Sequence, residues 1–279
     1  MRAITGIGEI AHRYKAILLD LWGVVHDGVT LYPGVTDCLG KLHEARVRIA
    51  MFSNAPRRAG AARESLRLIG LADDLYETVI TSGEVTRGLL SRPADLQSSG
   101  WGDRVWHLGP PRDRNLFEGL GLAEVPLGDA EFILNTGPDD ERDPTDVAAF
   151  DVELTEGIVR GLPMLCANPD LEVIRGGRRI ICAGALAERY QAMGGEVTLV
   201  GKPGALIYQA ALAKIGLPKD EVLAVGDSLR TDVAGAAAFG IDNVWVLAGI
   251  HGLSSSRDVA SIATEAKVEP TFVVDRFNW

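Results

Sequence analysis

One short apolar run near the start of the chain ends in a carboxylate. Residues 16–19 read Ala-Ile-Leu-Leu, and Asp20 follows them at once. Such a run is typical of a strand buried on both faces of a parallel sheet. Open α/β sheets bind their ligands at the carboxyl ends of the strands. The sequence therefore predicts Asp20 at a strand tip, followed by a loop that turns sharply at Gly23 and again at residues 26–28.

Three later segments also place polar residues directly after apolar runs. The carboxyl ends of parallel strands meet at one edge of a sheet, so these residues are expected to converge although they are far apart in the chain. Pro56 and Pro203 follow two of the runs and are expected to open the next helices. The polar residues are Ser53 and Asn54 after residues 48–52, Lys202 after residues 197–200, and Asp227 after residues 221–225, with Asp232 five residues further on.

The chain is long enough for two domains, with 279 residues of which 47% are hydrophobic. Residues 91–102 are rich in Ser, Pro, Gly, Gln and Asp, which is typical of a crossing between domains. Strand and helix patterns then alternate again up to about residue 178, which indicates a second α/β unit. We therefore expect an α/β protein with a Rossmann-like parallel-sheet core, residues 1–90 and 179–279. An α/β domain, residues 91–178, is inserted into it.

The residues expected at the core sheet edge form a chemically coherent set. Mg²⁺ typically takes one or two protein carboxylates, here Asp20 and Asp227, and completes its shell with waters and substrate phosphate. Ser53 and Lys202 can hold phosphate oxygens, with help from backbone N–H groups at helix N-termini. This combination is suited to phosphoryl transfer.

The same residues resemble the four motifs of the haloacid dehalogenase (HAD) superfamily. The motifs correspond to Asp20, to Phe52-Ser53-Asn54, to Gly201-Lys202-Pro203, and to Gly226-Asp227-Ser228 followed by Asp232. The inserted domain lies between the second and third motifs, and this position resembles class IIA, which contains nitrophenyl, pyridoxal-phosphate and sugar or nucleotide phosphatases. The run Cys166-Ala167-Asn168-Pro169-Asp170 resembles the same class. The resemblance spans nearly the whole chain and implies a hydrolase with a cap domain that acts on a small phosphorylated metabolite.

The resemblance also implies a role for each residue. Asp20 would be the nucleophile that forms an aspartyl phosphate, and Lys202 would balance the charge on it and on the phosphoryl group. Ser53 and the backbone N–H of Asn54 would bind that phosphoryl group. The Mg²⁺ ligands would be Asp20, Asp227 and the backbone carbonyl of Trp22, with Asp232 as a ligand or as a group that orients the ligands. Asn168 and Asp170 are candidates for substrate contacts.

Trp22 departs from the family pattern. Most phosphatases of the superfamily have a second aspartate two residues after the nucleophile, where it protonates the leaving group and then activates water. An indole has only a non-ionising N–H donor and cannot do this. General acid–base catalysis is typically worth about 10² to 10⁴ in rate.

Three alternatives follow from this substitution. His26 or Asp27, on the loop after the strand, substitutes for the missing acid and base. Or the protein performs chemistry that needs no protonated leaving group, as the phosphonate-cleaving branch of the superfamily does. Or it is a catalytically impaired protein on the same scaffold, with a phosphate-binding or regulatory function.

Charge and composition exclude several other classes. A formal net charge of -10 argues against a nucleic-acid or anionic-membrane partner. The three cysteines are too few and too scattered for a disulfide framework. The N-terminal residues lack the features of a secretory signal, and we expect a cytoplasmic protein. A cap of this kind could also carry the interface of a homodimer.

Overall fold

A computed structural model of the chain describes residues 1–92, 101–175, 178–249 and 259–279. The strands in these ranges are β1 (Arg2–Ala3), β2 (Ala16–Leu19), β3 (Arg48–Ser53), β4 (Thr78–Thr81), β5 (Arg104–Leu108), β6 (Ala123–Glu124), β7 (Phe132–Asn135), β8 (Met164–Cys166), β9 (Glu172–Arg175), β10 (Arg178–Ile181), β11 (Val197–Leu199), β12 (Val222–Gly226), β13 (Asp242–Val246) and β14 (Phe272–Val274). The α-helices are α1 (Val35–Glu44), α2 (Ala59–Leu68), α3 (Ser82–Leu90), α4 (Asp151–Val159), α5 (Ala183–Ala192), α6 (Ala205–Ile215), α7 (Ala234–Phe239) and α8 (Val259–Glu265).

The first compact unit contains residues 1–53, 59–80 and 202–279 and is built on a seven-stranded sheet. The strand order is β1-β14-β13-β12-β2-β3-β4, and β2 pairs in parallel with β12 on one side and β3 on the other. All four residues of β2 are buried, as expected for a strand covered on both faces. Helix α1 buries Val35, Cys38, Leu39 and Leu42 in the same core, which is the spacing of one helical face. The expected α/β core with a parallel sheet is confirmed.

The second compact unit contains residues 54–58 and 81–201. Its five-stranded parallel sheet has the order β11-β8-β7-β5-β6, and β9 and β10 form a separate antiparallel pair. Phe150, Leu154, Leu186 and Tyr190 are fully buried against this sheet, in a core distinct from that of the first unit. The unit is therefore an α/β layer structure with its own hydrophobic core.

Two details differ from the sequence-based expectation. The segment at residues 197–200 was expected in the first sheet, but β11 pairs with β8 in the second, with Val197 opposite Met164. The second unit consequently runs to Gly201 rather than to residue 178, and α3 also belongs to it. Most of the expected crossing at residues 91–102 lies outside the described residues.

The prolines also lie before the helices rather than at their first positions. Helix α2 begins at Ala59, three residues after Pro56, and α6 begins at Ala205, two residues after Pro203. Both prolines therefore occupy the turns that lead into the helices, where a fixed φ and a missing N–H are also tolerated.

The three cysteines are free and buried. In the described ranges, no helix has both the length and the apolar character needed to cross a membrane.

The second unit buries three linked polar side chains near the ends of strands β5 and β7: His107 in β5, Thr136 directly after β7, and Asp113 in the short helical turn after β5. His107 Nε2 lies 2.9 Å from the hydroxyl oxygen of Thr136, and the Thr136 hydroxyl donates to the carboxylate of Asp113. All three residues are buried. Burial lowers the pKa of His107 to about 4. Burial also raises the pKa of Asp113 to about 6, against the opposing charges of Arg112 and Arg57.

These two shifts predict opposite contributions to stability. Above pH 4 the folded chain keeps a proton on Asp113 that the unfolded chain loses, so this group destabilises the fold as pH rises towards 6. The unfolded chain instead holds a proton on His107 up to about pH 6.5, so this group stabilises the fold as pH rises from 4.

Substitution of each residue should remove its contribution. The difference in melting temperature between Asp113→Asn and the wild type should increase as pH rises from 4 to 6, and the same difference for His107→Gln should decrease. Circular dichroism melts test this, with exposed Asp103→Asn as the control. Parallel pH profiles for all variants would contradict the assignment.

Candidate active site

Three neighbouring strands of the first sheet end in polar side chains. Asp20 follows β2, and its backbone N–H donates to the carbonyl of Val225 at 2.9 Å, which continues the pairing with β12. Asp227 follows Gly226 at the end of β12, and Ser53 is the last residue of β3. All three polar residues are buried. Because β12, β2 and β3 are adjacent and parallel, their side chains meet at one sheet edge.

Lys202 reaches the same edge by a different route from the one expected. It follows β11, which is a strand of the second sheet, yet Lys202 itself belongs to the first unit. Its Nζ donates to Asp20 Oδ1 at 2.5 Å, to Asp232 Oδ1 at 2.6 Å and to the carbonyl of Phe52 at 3.2 Å. One ammonium group therefore connects the two carboxylates with the backbone just before Ser53.

Asp227 and Asp232 are held by their backbones and by close packing. The indole N–H of Trp245 donates to the carbonyl of Asp227 at 2.9 Å, and the Tyr208 hydroxyl donates to the carbonyl of Asp232 at 3.2 Å. Gly23 has a φ of +90°, and a Cβ built there would lie 2.1 Å from Asp227 Oδ2. Only glycine fits this turn, because any side chain would displace the carboxylate.

Asp232 lies in a single wide π-type turn, residues 229–233, that precedes α7. The backbone N–H of Ser228 donates to Asp232 Oδ2 at 3.2 Å, while Oδ1 accepts from Lys202. The turn thus directs the carboxylate back towards the strand tips. Such turns are frequent at functional sites.

The charges at this edge are strongly coupled. Burial raises the pKa of Asp20 well above its ordinary range, the negative charges of Asp232 and Asp227 add to this, and Lys202 opposes it. Three buried carboxylates meet here and one ammonium group bonds to two of them, so the place favours binding of a further cation.

The geometry of the carboxylates also suits a cation. Asp20, Asp227 and Asp232 each offer one carboxylate oxygen, and these oxygens all lie within 4.8 Å of one another. A hard divalent ion such as Mg²⁺ prefers oxygen ligands of this type and binds with few protein carboxylates. The donor set therefore fits a divalent metal ion.

The loop after β2 carries Trp22, His26 and Asp27. The Trp22 and His26 rings pack edge to face with centroids 5.5 Å apart, and a Cβ on Gly28 would lie 2.2 Å from the indole. Asp27 is exposed, and its Oδ1 accepts from the backbone N–H groups of Val29 and Thr30. These bonds lower the pKa of Asp27. Its carboxylate thus stabilises the turn in its ionised form.

His26 is held in a neutral form. Its Nδ1 accepts from the backbone N–H of Gly28 at 2.9 Å, so its proton is on Nε2. Burial lowers the pKa of His26 to about 4. The side chain can donate a hydrogen bond from Nε2 near neutral pH, but it lacks the charge of an imidazolium acid.

The remaining candidates lie in the second unit. The side-chain amide of Asn54 donates to Asp170 Oδ1 at 2.8 Å, and the backbone N–H of Asp170 donates to Asn168 Oδ1 at 3.1 Å. The Ser82 hydroxyl donates to the carbonyl of Asn54 at 2.7 Å. The structure thus joins Asn54 directly to the segment 168–170, a connection that the sequence gives no means to foresee.

Tyr208 and Trp245 were not singled out in the sequence. Both are almost fully buried, and each uses its polar tip to fix the backbone of one aspartate of the site. The available signal is chemical: a Tyr or Trp that is buried in a helix or strand needs a partner for its polar group.

Comparisons with known proteins agree with this fold and show the family of the chain. A family described as "Haloacid dehalogenase-like hydrolase" matches residues 17–123, and one described as HAD-hydrolase-like matches residues 199–279. A solved structure of a haloacid dehalogenase-like hydrolase from Brucella suis 1330 is 32% identical, with a TM-score of 0.86, and the match covers 98% of this chain and 99% of that one. The chain therefore belongs to the haloacid dehalogenase-like hydrolases, and its arrangement is that of class IIA.

Two curated relatives are named phosphatases. Glycerol-3-phosphate phosphatase of Homo sapiens is 25% identical over 289 residues, covering 93% of this chain and 87% of the relative. Acid sugar phosphatase of Staphylococcus aureus strain USA300 is 26% identical over 251 residues, covering 86% of this chain and 89% of the relative. The protein is thus an enzyme of the HAD phosphatase and hydrolase type.

Removal of the Lys202 charge should strongly reduce the stability of the fold. The side chains of Lys202, Asp20 and Asp232 are only 3%, 9% and 7% exposed. Lys202→Met leaves two buried carboxylates unpaired and should lower the free energy of unfolding by about 3–5 kcal/mol. Urea unfolding in EDTA measures this, with Lys214→Met on the exposed side of α6 as the control. Adding Asp232→Asn to Lys202→Met should restore part of the loss. Equal stabilities of the Lys202 and Lys214 variants would contradict the charge network.

Proposed function

We propose that the protein is a Mg²⁺-dependent phosphomonoester hydrolase that works through an aspartyl phosphate on Asp20. The observation that carries this proposal is the buried cluster of Asp20, Asp227 and Asp232 at one sheet edge, with the Lys202 ammonium group bonded to Asp20 and Asp232. A hydrolase of this family with three carboxylates and one cation at the strand tips has the groups that phosphoryl transfer requires.

Asp20 acts as the nucleophile in this proposal. A carboxylate oxygen of Asp20 attacks phosphorus, the bond between phosphorus and the ester oxygen breaks, and the leaving alkoxide takes up a proton from solvent. Water then attacks phosphorus and gives up a proton to solvent, the bond between phosphorus and the Asp20 oxygen breaks, and the Asp20 carboxylate and inorganic phosphate are released. Lys202, already bonded to Asp20 Oδ1, holds the nucleophile in place and balances negative charge. Ser53 and the N–H of Asn54, the next residue, would donate to the phosphoryl oxygens.

The cation would be held by Asp20, Asp227 and the backbone carbonyl of Trp22. Bound Mg²⁺ supplies charge neutralisation for the transferring phosphoryl group. Asp232 would act as a further ligand or, through its bond to Lys202, as an orienting group. The close fit of Gly23 against Asp227 Oδ2 would keep that ligand in one position.

The substrate class follows from the relatives. They are named for glycerol 3-phosphate and for sugar phosphates, and we infer a small phosphorylated metabolite here as well. Asn168 and Asp170 stay candidates for substrate contacts, because the segment they form is bonded to Asn54. The homodimer and the cytoplasmic location stay predictions.

Asp20→Asn should abolish hydrolysis, because an amide cannot form the acyl phosphate. The measurement is phosphate release from a panel of phosphomonoesters with Mg²⁺ and with EDTA. Activity should require the metal, and Asp227→Asn should raise the Mg²⁺ concentration needed for half-maximal rate. The exposed Asp103→Asn variant is the control. Undiminished turnover by Asp20→Asn would remove it as the nucleophile, and no metal-dependent release from any ester would overturn the proposed function.

A catalytically impaired phosphate-binding protein is the second candidate. The observation that favours it is the chemistry of the loop: Trp22 cannot ionise, Asp27 is committed to the turn, and His26 is neutral. A surrogate role for His26 or Asp27 stays a prediction. If no group replaces the second aspartate, hydrolysis depends on leaving groups that depart without a proton. Chemistry of the phosphonate-cleaving type also stays an alternative, because it needs no protonated leaving group.

A series of aryl and alkyl phosphates separates these cases. Without a general acid, the rate should fall steeply as the pKa of the leaving group rises, and nitrophenyl phosphate should be the best ester. Trp22→Asp should then raise the rate of hydrolysis of alkyl esters relative to that of nitrophenyl phosphate. Trp22→Asn should not, because asparagine has the size of aspartate but cannot donate a proton as an acid. A flat dependence in the wild type would instead show that a neighbour supplies the proton, and His26→Gln and Asp27→Asn would identify it.

A further inference from the structure

A cavity of about 210 Å³ lies in the first unit, and none of the proposed nucleophile, phosphoryl-binding or metal-binding residues lines it. One wall is the loop after β2, with Val24 and Tyr32. The other is formed by the end of β13 and by Arg276 and Phe277 near the C-terminus. Backbone hydrogen bonds from Leu247 and Ala248 to residues 274 and 275 fix this second wall.

The lining combines an apolar floor with two polar donors. Val24, Val246 and Phe277 are buried and present hydrocarbon surface. In the part of the chain that the structure describes, neither the Arg276 guanidinium nor the Tyr32 hydroxyl has a hydrogen-bond or ion-pair partner. No carboxylate is among the lining residues. A guanidinium group offers two parallel N–H donors that match a carboxylate, and a phenol adds a third donor.

The surrounding charges limit what can bind there. Burial and the negative charges of Asp27 and Asp227 raise the pKa of Tyr32, so its hydroxyl keeps its proton and can donate. The same two charges repel a dianion more strongly than a monoanion. A phosphate group is therefore a poorer match than a carboxylate, and the apolar floor favours a ligand with a hydrocarbon body.

We propose that this cavity binds a small organic monocarboxylate with an apolar body, its carboxylate on Arg276 and Tyr32. This site is separate from the proposed phosphoryl and metal site and needs no turnover to be detected. The two sites share the Gly23 backbone, which lines the cavity and also packs against Asp227 Oδ2. An occupant would therefore stabilise the loop that carries Trp22, and its binding would be coupled to binding at the active site, reciprocally.

Isothermal titration calorimetry of the full chain with benzoate tests the proposal. Benzoate should bind saturably, and Arg276→Ala should weaken binding by about tenfold or more, since a charged hydrogen-bond donor is lost. Tyr32→Phe should weaken it less. Lys214→Ala, which removes an exposed positive charge elsewhere in the first unit, should leave the affinity unchanged. Melting temperatures of all variants check that they fold. Arg276 is exposed, so its replacement by alanine should not unfold the protein.

The controls on the ligand side are benzyl alcohol and inorganic phosphate. Benzyl alcohol has the same ring without the charge and should bind much more weakly than benzoate. Phosphate should not displace benzoate at equal concentration. Absence of saturable benzoate binding, or an affinity unchanged in Arg276→Ala, would overturn the proposal, and displacement by phosphate would overturn its assignment to carboxylates. None of these results depends on whether the protein hydrolyses phosphate esters.

Discussion

Lys202 brings one positive charge into a buried place where three carboxylates meet. Its ammonium group bonds to Asp20 and Asp232, and to the carbonyl of Phe52, so it connects the ends of β2 and β3 with the turn after β12. In a medium of low polarity each of these charges would be costly alone. The network is therefore stable only as a whole, and a bound cation would complete its charge balance. In the function we propose, that cation would also balance the charge of an anionic phosphoryl group.

The strand tips of this network could be predicted from the sequence because the signals are local. The apolar run before Asp20, and those before Ser53 and Asp227, each identify a buried strand, and parallel pairing then brings the tips together. The tight turn at Gly23 is equally local, since a positive φ leaves glycine as the ordinary choice.

The route of Lys202 could not be predicted in the same way. β11 has only three residues, all half-buried, and such a segment fits the edge of either sheet. Its partner β8 is more than thirty residues earlier, with a hairpin and a helix between them. Pairing at that separation depends on how α5 and the intervening strands pack, which a local pattern does not record. The contact between Asn54 and Asp170 escapes prediction for the same reason.

The loop after β2 contacts both the candidate active site and the neighbouring cavity. Gly23 packs against Asp227, Trp22 fills the space over Gly28, and Tyr32 faces the cavity. An aspartate at position 22 would supply an acid but would leave the volume of the indole unfilled, so the ring and Gly28 form a matched pair. Loss of the acid is then compatible with a rigid loop that holds Asp20 and Asp227 in place. If no neighbour supplies the proton, catalysis by the proposed site would depend on charge placement more than on proton transfer, and substrates with good leaving groups would be favoured.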